Sequence, residues 1–157
     1  MNEERRSLLR GAGETMDFGR RLGRLVRPGD WIALAGDLGS GKTTLVSGLV
    51  DGVHPGMRSR SPTYVRVEVY GESPAIVHAD LYRLEAPEEW DTLGIEDLAE
   101  RDAVVVVEWA DRAADRLPPE RLDLTLSYAG EKSREIRVSA RGERWRRLVH
   151  EGSLERE

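Results

Sequence analysis

The sequence predicts an α/β domain with a mixed, partly antiparallel sheet. Residues 31–35 and 103–107 are short, nearly continuous apolar runs, which are typical of strands buried on both faces of a sheet. Residues 43–50 have the pattern of a helix and follow the first of these strands closely. Residues 122–126 and 136–138 alternate apolar and polar side chains, which indicates a late antiparallel pair. Together these patterns predict one sheet that contains both parallel and antiparallel strands.

The N-terminal part of the chain is predicted to begin with a helix. Thr15 is a suitable N-cap for a helix that runs to about Val26, where Pro28 and Gly29 end it. Apolar residues recur at helical spacing at Phe18, Leu22, Leu25 and Val26. The strand at 31–35 follows, and a glycine-rich loop connects it to the helix at 43–50.

The remaining elements are predicted from alternation and from breaks in the chain. Residues 64–70 and 75–79 have strand patterns separated by Ser73-Pro74, which indicates a hairpin or adjacent strands. Pro87 opens an acidic helical stretch, and residues 111–116 form a short helix. After the late strand pair, residues 145–150 are predicted to close the chain with a helix.

Length and composition exclude several classes of protein. The 157 residues predict one domain spanning 1–157, with a motif-bearing core at about 30–128 and a C-terminal tail from about 141. The net charge of -5 argues against purely electrostatic binding of nucleic acid. The absence of cysteine excludes disulfides, thiolate metal sites and a cysteine nucleophile. Apolar runs are too short to cross a membrane and the N-terminus is too charged for a signal sequence, so we expect a cytoplasmic protein.

The charge is distributed unevenly along the chain. Residues 80–102 contain nine acidic side chains against only Arg83 and Arg101. Such a run is most often a solvated helix face, and an acidic docking patch is the alternative.

Residues 36–43 match the phosphate-binding pattern G-x-x-x-x-G-K-[ST] between a predicted strand and a predicted helix. The matching residues are Gly36, Asp37, Leu38, Gly39, Ser40, Gly41, Lys42 and Thr43. In this motif backbone N–H groups surround a phosphate, Lys42 would bridge the outer phosphates, and the Thr43 hydroxyl would bind Mg²⁺. The chain has 22 Arg and only two Lys, and the second, Lys132, lies in no N-K-x-D element. ATP is therefore favoured over GTP.

Two carboxylates end predicted strands where ligands bind in open α/β sheets. Glu108 follows the valine-rich strand and Asp80 follows residues 75–79, so both are candidates to hold Mg²⁺ or its waters. Ser61-Pro62-Thr63 precedes a strand and offers the Thr63 hydroxyl on a loop that could sense the terminal phosphate. An ordinary turn with proline at its second position is the alternative for this segment.

Three other side chains have both structural and functional interpretations. Trp109 follows Glu108. As a residue type, tryptophan is more often packed in the core than placed beside a nucleotide. His78 is expected to pack in the core. Arg134, beside the late turn, would contact a phosphate or base only if that turn folds over the loop.

Taken in order, these motifs resemble the TsaE family of small bacterial P-loop ATPases needed for threonylcarbamoyladenosine formation in tRNA. The resemblance covers about residues 30–128. Its motifs here are Gly36 to Thr43 followed by Thr44, Ser61-Pro62-Thr63-Tyr64, His78-Ala79-Asp80-Leu81-Tyr82-Arg83, Pro87-Glu88-Glu89 with Leu93-Gly94, and Glu108-Trp109 with Arg112. It implies a three-layer P-loop NTPase-like fold.

The resemblance also implies roles and partners. It places Thr43, Glu108 and Asp80 at Mg²⁺, Thr63 in a switch-like loop, and Trp109 at the site. It implies an ATP hydrolase that supports the TsaD and TsaB subunits, which transfer the threonylcarbamoyl group, and it leaves direct contact with tRNA open. A contribution of residues 11–15 to the adenine pocket is a further hypothesis.

Two other functions use the same loop. A small-molecule kinase would also enclose an acceptor, usually under an arginine lid, and no such lid stands out in the sequence. A nucleotide-binding switch or scaffold would bind ATP with negligible hydrolysis. Phosphate release with and without partners would distinguish these functions.

Overall fold

Seven strands of the described residues form one mixed sheet. The computed structural model describes residues 3–59 and 67–155. The strands are β1 (Glu3–Leu9), β2 (Trp31–Gly36), β3 (Val67–Tyr70), β4 (Ala75–Asp80), β5 (Ala103–Glu108), β6 (Arg121–Tyr128) and β7 (Arg134–Arg141). The helices are α1 (Ala12–Leu25), α2 (Lys42–Val53), α3 (Trp90–Leu93), α4 (Ile95–Ala99) and α5 (Glu143–His150), with 3₁₀ helices at Pro87–Glu89 and Ala110–Arg116.

The strand order is β1-β7-β6-β2-β5-β4-β3. Neighbouring strands from β6 through β2 and β5 to β4 run parallel, and antiparallel pairs complete both edges. Every residue of β5 is buried, as its run of valines predicts for an interior strand. The predicted mixed α/β sheet is confirmed, including the hairpin β3–β4 and the late pair β6–β7. Residues 64–66 of the strand predicted at 64–70 lie outside the described residues.

Helices cover the sheet on both faces. The first apolar cluster joins α1, α2 and α5 to the side chains of one sheet face, among them Ile32, Leu34 and Val106. The second cluster packs Trp90 and Ile95 from the short helices against the other face of β2, β4 and β5. The result is the predicted three-layer arrangement.

Helices α1 and α2 approach each other closely because glycines face one another across their contact. A Cβ added at Gly48 would collide with the Met16 carbonyl oxygen, and one added at Gly19 would collide with the Leu45 carbonyl oxygen. The same contact continues at Gly23 and Gly52. Backbone contact of this kind holds α1 against the helix that follows the phosphate loop.

The N-terminus differs most from the sequence-based prediction. Thr15 is not the N-cap: helix α1 begins at Ala12 after Gly11, and the Thr15 hydroxyl donates instead to the Gly11 carbonyl oxygen at 3.2 Å. Glu14 accepts the Arg10 N–H at 2.9 Å, which satisfies a backbone donor that precedes the helix. The helix also ends at Leu25, one residue earlier than expected.

Strand β1 was not predicted at all. It pairs with β7 over seven residues although its sequence, EERRSLL, is mostly charged and exposed. An edge strand with most of its side chains in solvent carries little apolar alternation, so the usual strand signal is missing. At other boundaries the differences are small: the 3₁₀ helix starts at Ala110, and helix α5 starts at Glu143. Among the described residues no helix has the length and apolar character to cross a membrane.

Candidate nucleotide site

The loop between β2 and α2 adopts a conformation that depends on glycine. Gly36, Gly39 and Gly41 have φ values of 144°, 78° and 108°. Residues other than glycine rarely adopt positive φ values of this kind. A Cβ at Gly36 would also lie 2.5 Å from the Leu126 carbonyl oxygen. The loop therefore passes close to β6 and turns back into the N-terminus of α2, where backbone N–H groups are free to bind an anion.

Lys42 is the first residue of α2 and its ammonium lies inside the loop. Its Nζ donates to the Gly36 carbonyl oxygen at 2.7 Å and to the Asp37 carbonyl oxygen at 2.9 Å. The residue is only 5% exposed, and this burial lowers the pKa of Lys42, against the opposing effect of Glu108 and Asp80. A phosphate beside the ammonium would stabilise its charged form.

Asp80 and Glu108 lie side by side at the ends of two parallel strands. They are direct partners in the β4–β5 register, as their positions after predicted strands indicated. Glu108 is buried. Burial raises the pKa of Asp80. The hydrogen bond that Asp80 accepts from the Tyr82 N–H at 2.9 Å lowers this pKa, and the charge of Glu108 raises it. Two adjacent carboxylates of like charge favour a bound cation.

His78 packs in the core as expected, and it also has a polar contact that the sequence reasoning missed. Its Nε2 lies 2.5 Å from Oε2 of Glu108, and both side chains are almost fully buried. Strand alternation indicates only that residues two apart face the same side of the sheet, and it does not identify a partner 30 residues away. His78 thus shares a face with Asp80.

Trp109 lines the cavity and also packs against the second apolar cluster, so it combines the two positions that the sequence left open. It is partly buried and adopts a left-handed backbone conformation with φ 57° and ψ 40°. Its ring centroid lies 4.2 Å from Lys42 Nζ and 5.0 Å from the Tyr82 ring. The guanidinium of Arg112 lies 5.4 Å from the same ring. The indole therefore lies between the second apolar cluster and the Lys42 ammonium.

The turn between β6 and β7 does fold over the phosphate loop. Tyr128 donates its hydroxyl to the Leu38 carbonyl oxygen at 2.6 Å. Arg134 lies over the Tyr128 ring at 4.4 Å and reaches the Gly39 carbonyl oxygen at 3.4 Å. Arg134 is therefore next to the loop, and Tyr128 is a neighbour that sequence reasoning did not identify, because its contact with Leu38 crosses 90 residues.

Comparison with known proteins identifies the family. The family model for the threonylcarbamoyl adenosine biosynthesis protein TsaE matches residues 9–136. The chain belongs to the TsaE family. A Streptomyces coelicolor protein named tRNA threonylcarbamoyladenosine biosynthesis protein TsaE is 40% identical over 82% of this chain and 92% of its own. A Bacillus subtilis protein of the same name is 34% identical over 88% of this chain and 87% of its own.

The fold has a counterpart among solved structures. The crystal structure of Bacillus subtilis YdiB superposes with a TM-score of 0.80 at 30% identity, covering 96% of this chain and 95% of that one. The resemblance read from the spaced motifs is confirmed by these matches, which extend beyond the motif-bearing core at both ends.

Residues from three of the motifs, the phosphate loop and the segments that contain Asp80 and Glu108, line one cavity of about 280 Å³. Its lining is Leu38, Gly39, Gly41, Lys42, Thr43, Thr44, Asp80, Tyr82, Glu108 and Trp109. Two cavities of about 420 Å³ lie elsewhere and contain neither the lysine nor the acid pair. The site is therefore identified by its chemistry and not by its size. Thr63 and the rest of the 60–66 segment lie outside the described residues, so its predicted role stays a prediction.

The donor set fits Mg²⁺ together with a nucleotide better than a metal alone. Within residues 3–59 and 67–155 no group of three or more His, Asp or Glu side chains is arranged to hold a metal ion. Thr43, Asp80 and Glu108 supply one hydroxyl and two carboxylates at the same cavity. Mg²⁺ in nucleotide sites is typically held by one or two carboxylates, with phosphate oxygens and water as its other ligands.

Proposed function

We propose that the protein is a Mg²⁺-dependent ATPase that acts in tRNA threonylcarbamoyladenosine biosynthesis with the TsaD–TsaB threonylcarbamoyl transferase. The observation that carries the proposal is the placement of Lys42 inside the glycine loop, opposite the paired carboxylates Asp80 and Glu108. Membership of the TsaE family supplies the pathway, since its relatives are named for this modification.

Different residues would have different roles in phosphoryl transfer to water. Loop N–H groups and the Lys42 ammonium would bind the phosphates and stabilise the charge that develops on them. Thr43, Asp80 and Glu108 would hold Mg²⁺, which when bound neutralises phosphate charge and orients its oxygens. A carboxylate that holds the metal through one of its waters would also orient the attacking water. Trp109 and Arg134 would flank the nucleotide.

The cleft is open, which supports a need for partners. Leu38, at the tip of the loop, is 68% exposed, and Tyr82 and Tyr128 are about half exposed beside it. An open cleft admits water and leaves catalytic groups incompletely ordered, so hydrolysis is expected to be slow for the isolated protein. Docking of the TsaD–TsaB pair would exclude water and accelerate turnover.

Calorimetry and phosphate release test the proposal together. ATP and ADP with Mg²⁺ should bind more tightly than GTP and GDP, because the chain has no N-K-x-D element for guanine. Phosphate release should be measured with the protein alone, with the TsaD–TsaB pair, and with the pair alone as control. Equal or better affinity for GTP would contradict the nucleotide assignment. Transfer of the phosphate to a small-molecule acceptor instead of water would favour the kinase.

A further inference from the structure

We propose that His78 is a positioning residue for Glu108: its imidazole holds one carboxylate oxygen so that the other is directed into the nucleotide cavity. The inference rests on the proposed function, because it assigns Glu108 a role in holding Mg²⁺ and ordering water. It adds a residue that does not itself line the cavity.

The strand register explains why these two side chains meet. His78 is the cross-strand partner of Val106, so Glu108 is its diagonal neighbour two residues further along β5. Diagonal neighbours on one sheet face are within reach of long side chains. The Glu108 side chain bends back along the sheet to bring Oε2 within 2.5 Å of Nε2 of His78.

The hydrogen bond between this pair has a defined direction in the proposed role. As a metal ligand Glu108 would be an ionised carboxylate, which only accepts hydrogen bonds, so Nε2 of His78 would donate. Nδ1 has no hydrogen-bond partner within the described residues, and the side chain has no solvent exposure. A buried polar atom without a partner lowers stability. A residue chosen only to fill the core would not carry that cost, whereas a residue needed for its Nε2–H would.

The contact also keeps Glu108 apart from Lys42. Both residues line the same cavity, yet no ion pair joins them among the described salt bridges, and Lys42 donates to loop carbonyl oxygens instead. Without the hydrogen bond from His78, the Glu108 carboxylate would be free to rotate toward the ammonium. It would then lose its direction toward the metal.

The test compares two amides at position 78. The Nε2 of glutamine approximates the position of the imidazole Nε2, whereas the amide of asparagine is too short to reach Glu108. His78→Gln and His78→Asn therefore both place an uncharged amide in the same buried position but differ in the contact. The measurements are the Mg²⁺ concentration needed for half-maximal gain in ATP affinity by calorimetry, ADP affinity in EDTA, kcat and KM for ATP, and Tm.

We expect His78→Asn to raise the Mg²⁺ requirement by about fivefold and to lower kcat by about tenfold, as loss of a group that orients a metal ligand does. KM for ATP should change by less than about threefold, and His78→Gln should recover most of both losses. ADP affinity in EDTA should be nearly the same in all three proteins. Equal losses in the two variants, following their Tm values, would show that His78 only packs, as would wild-type behaviour of His78→Asn.

A readout in the unmutated protein covers the case in which neither variant folds. With ¹⁵N-labelled histidine, the ligand-free protein should show a hydrogen-bonded Nε2–H resonance from His78 that is lost in Glu108→Ala. Its absence from the wild-type spectrum would overturn the proposal. If the wild type binds no Mg²⁺–ATP, the proposed function fails instead, and the resonance still reports whether His78 holds Glu108.

Discussion

Asp80 and Glu108 occupy the same register position at the carboxyl ends of neighbouring parallel strands, β4 and β5. Their carboxylates face the N-terminus of α2 across the cavity that also contains Lys42. Opposite charges at the two sides of one cleft separate two tasks, because phosphate is attracted to one side and a metal ion to the other.

This separation predicts different losses for the two sides. Lys42→Ala should weaken ATP and ADP binding by about 10- to 100-fold, because a charge-assisted contact is removed. Glu108→Ala and Asp80→Ala should keep ADP affinity in EDTA within about threefold and lower phosphate release by about 100-fold. Asp115→Ala, an exposed acid outside the cavity, is the matched control. If Glu108→Ala hydrolysed ATP at the wild-type rate, the assignment of Glu108 would be wrong.

The glycine contact between α1 and α2 predicts opposite effects for two alanine substitutions. Gly48→Ala should destabilise the protein by about 1–3 kcal/mol, because the new methyl group collides with the Met16 carbonyl oxygen and the helices must separate. Gly13→Ala, in α1 with nothing near its Cβ position, should instead stabilise it by about 0.5 kcal/mol through helix propensity. Urea unfolding of both variants checks this. Similar losses in both would show that the helices do not depend on close contact.

Arg144 joins helix α5 to the end of α1 by a hydrogen bond and to the loop before β2 by an ion pair. Arg144 donates to Oδ2 of Asp30 and to the Leu25 carbonyl oxygen, both at 2.8 Å. Burial raises the pKa of Asp30, against hydrogen bonds and charges from Arg27 and Arg144 that lower it. A raised pKa in the folded state means that ionising the buried acid lowers the free energy of unfolding. This loss of stability is absent at low pH, where the acid is protonated, and grows as the pH rises through the raised pKa.

Removing the arginine should therefore destabilise the protein in a pH-dependent way. Arg144→Met leaves Asp30 buried without its cation and should lower the free energy of unfolding by about 2–4 kcal/mol at pH 7. The loss should be smaller at pH 5 than at pH 7, because burial raises the pKa of Asp30 and removal of the Arg144 charge, which lowers that pKa, raises it further. The double variant Asp30→Asn with Arg144→Met should recover much of the stability. A loss that is the same at both pH values would show that packing of Arg144 matters and not its charge.

The hydrogen bond from Tyr128 to the phosphate loop predicts a modest effect on nucleotide affinity. Tyr128→Phe keeps the ring under Arg134 and removes the hydroxyl that donates to the Leu38 carbonyl oxygen. ADP affinity should fall by about three- to tenfold, because the free loop samples more conformations and about 1 kcal/mol of hydrogen bonding is lost. Ser127→Ala, an exposed neighbour on the same strand, is the control. Unchanged affinity in Tyr128→Phe would mean that the loop is held by its own glycines.

Sequence patterns predicted what depends on neighbouring residues and missed what depends on pairing across the fold. The apolar run ending at Glu108 and the glycine loop before Lys42 are local signals, so the interior strands and the main candidate site were predicted. The contact of His78 with Glu108 and that of Tyr128 with Leu38 join residues far apart in sequence, which no periodicity encodes. Trp109 has a left-handed backbone conformation, which its residue type does not predict.

Nucleotide binding and partner binding are expected to be linked. The exposed rim at Leu38, Tyr82 and Tyr128 surrounds the cavity in which phosphate would bind, so a partner that covers the cleft would contact residues that respond to the nucleotide. Binding of the TsaD–TsaB pair should then differ between ADP, a non-hydrolysable ATP analogue and no nucleotide. A coupling of about 1–3 kcal/mol corresponds to a severalfold to 100-fold change in partner affinity, and the partners must change nucleotide affinity by the same factor.

Thr63→Ala tests whether the predicted switch loop carries this coupling, and Asp115→Ala serves as the matched surface control. Identical partner affinity in all three states, with phosphate release unchanged by the partners, would show that the nucleotide does not govern the complex, and the protein would then act as a scaffold.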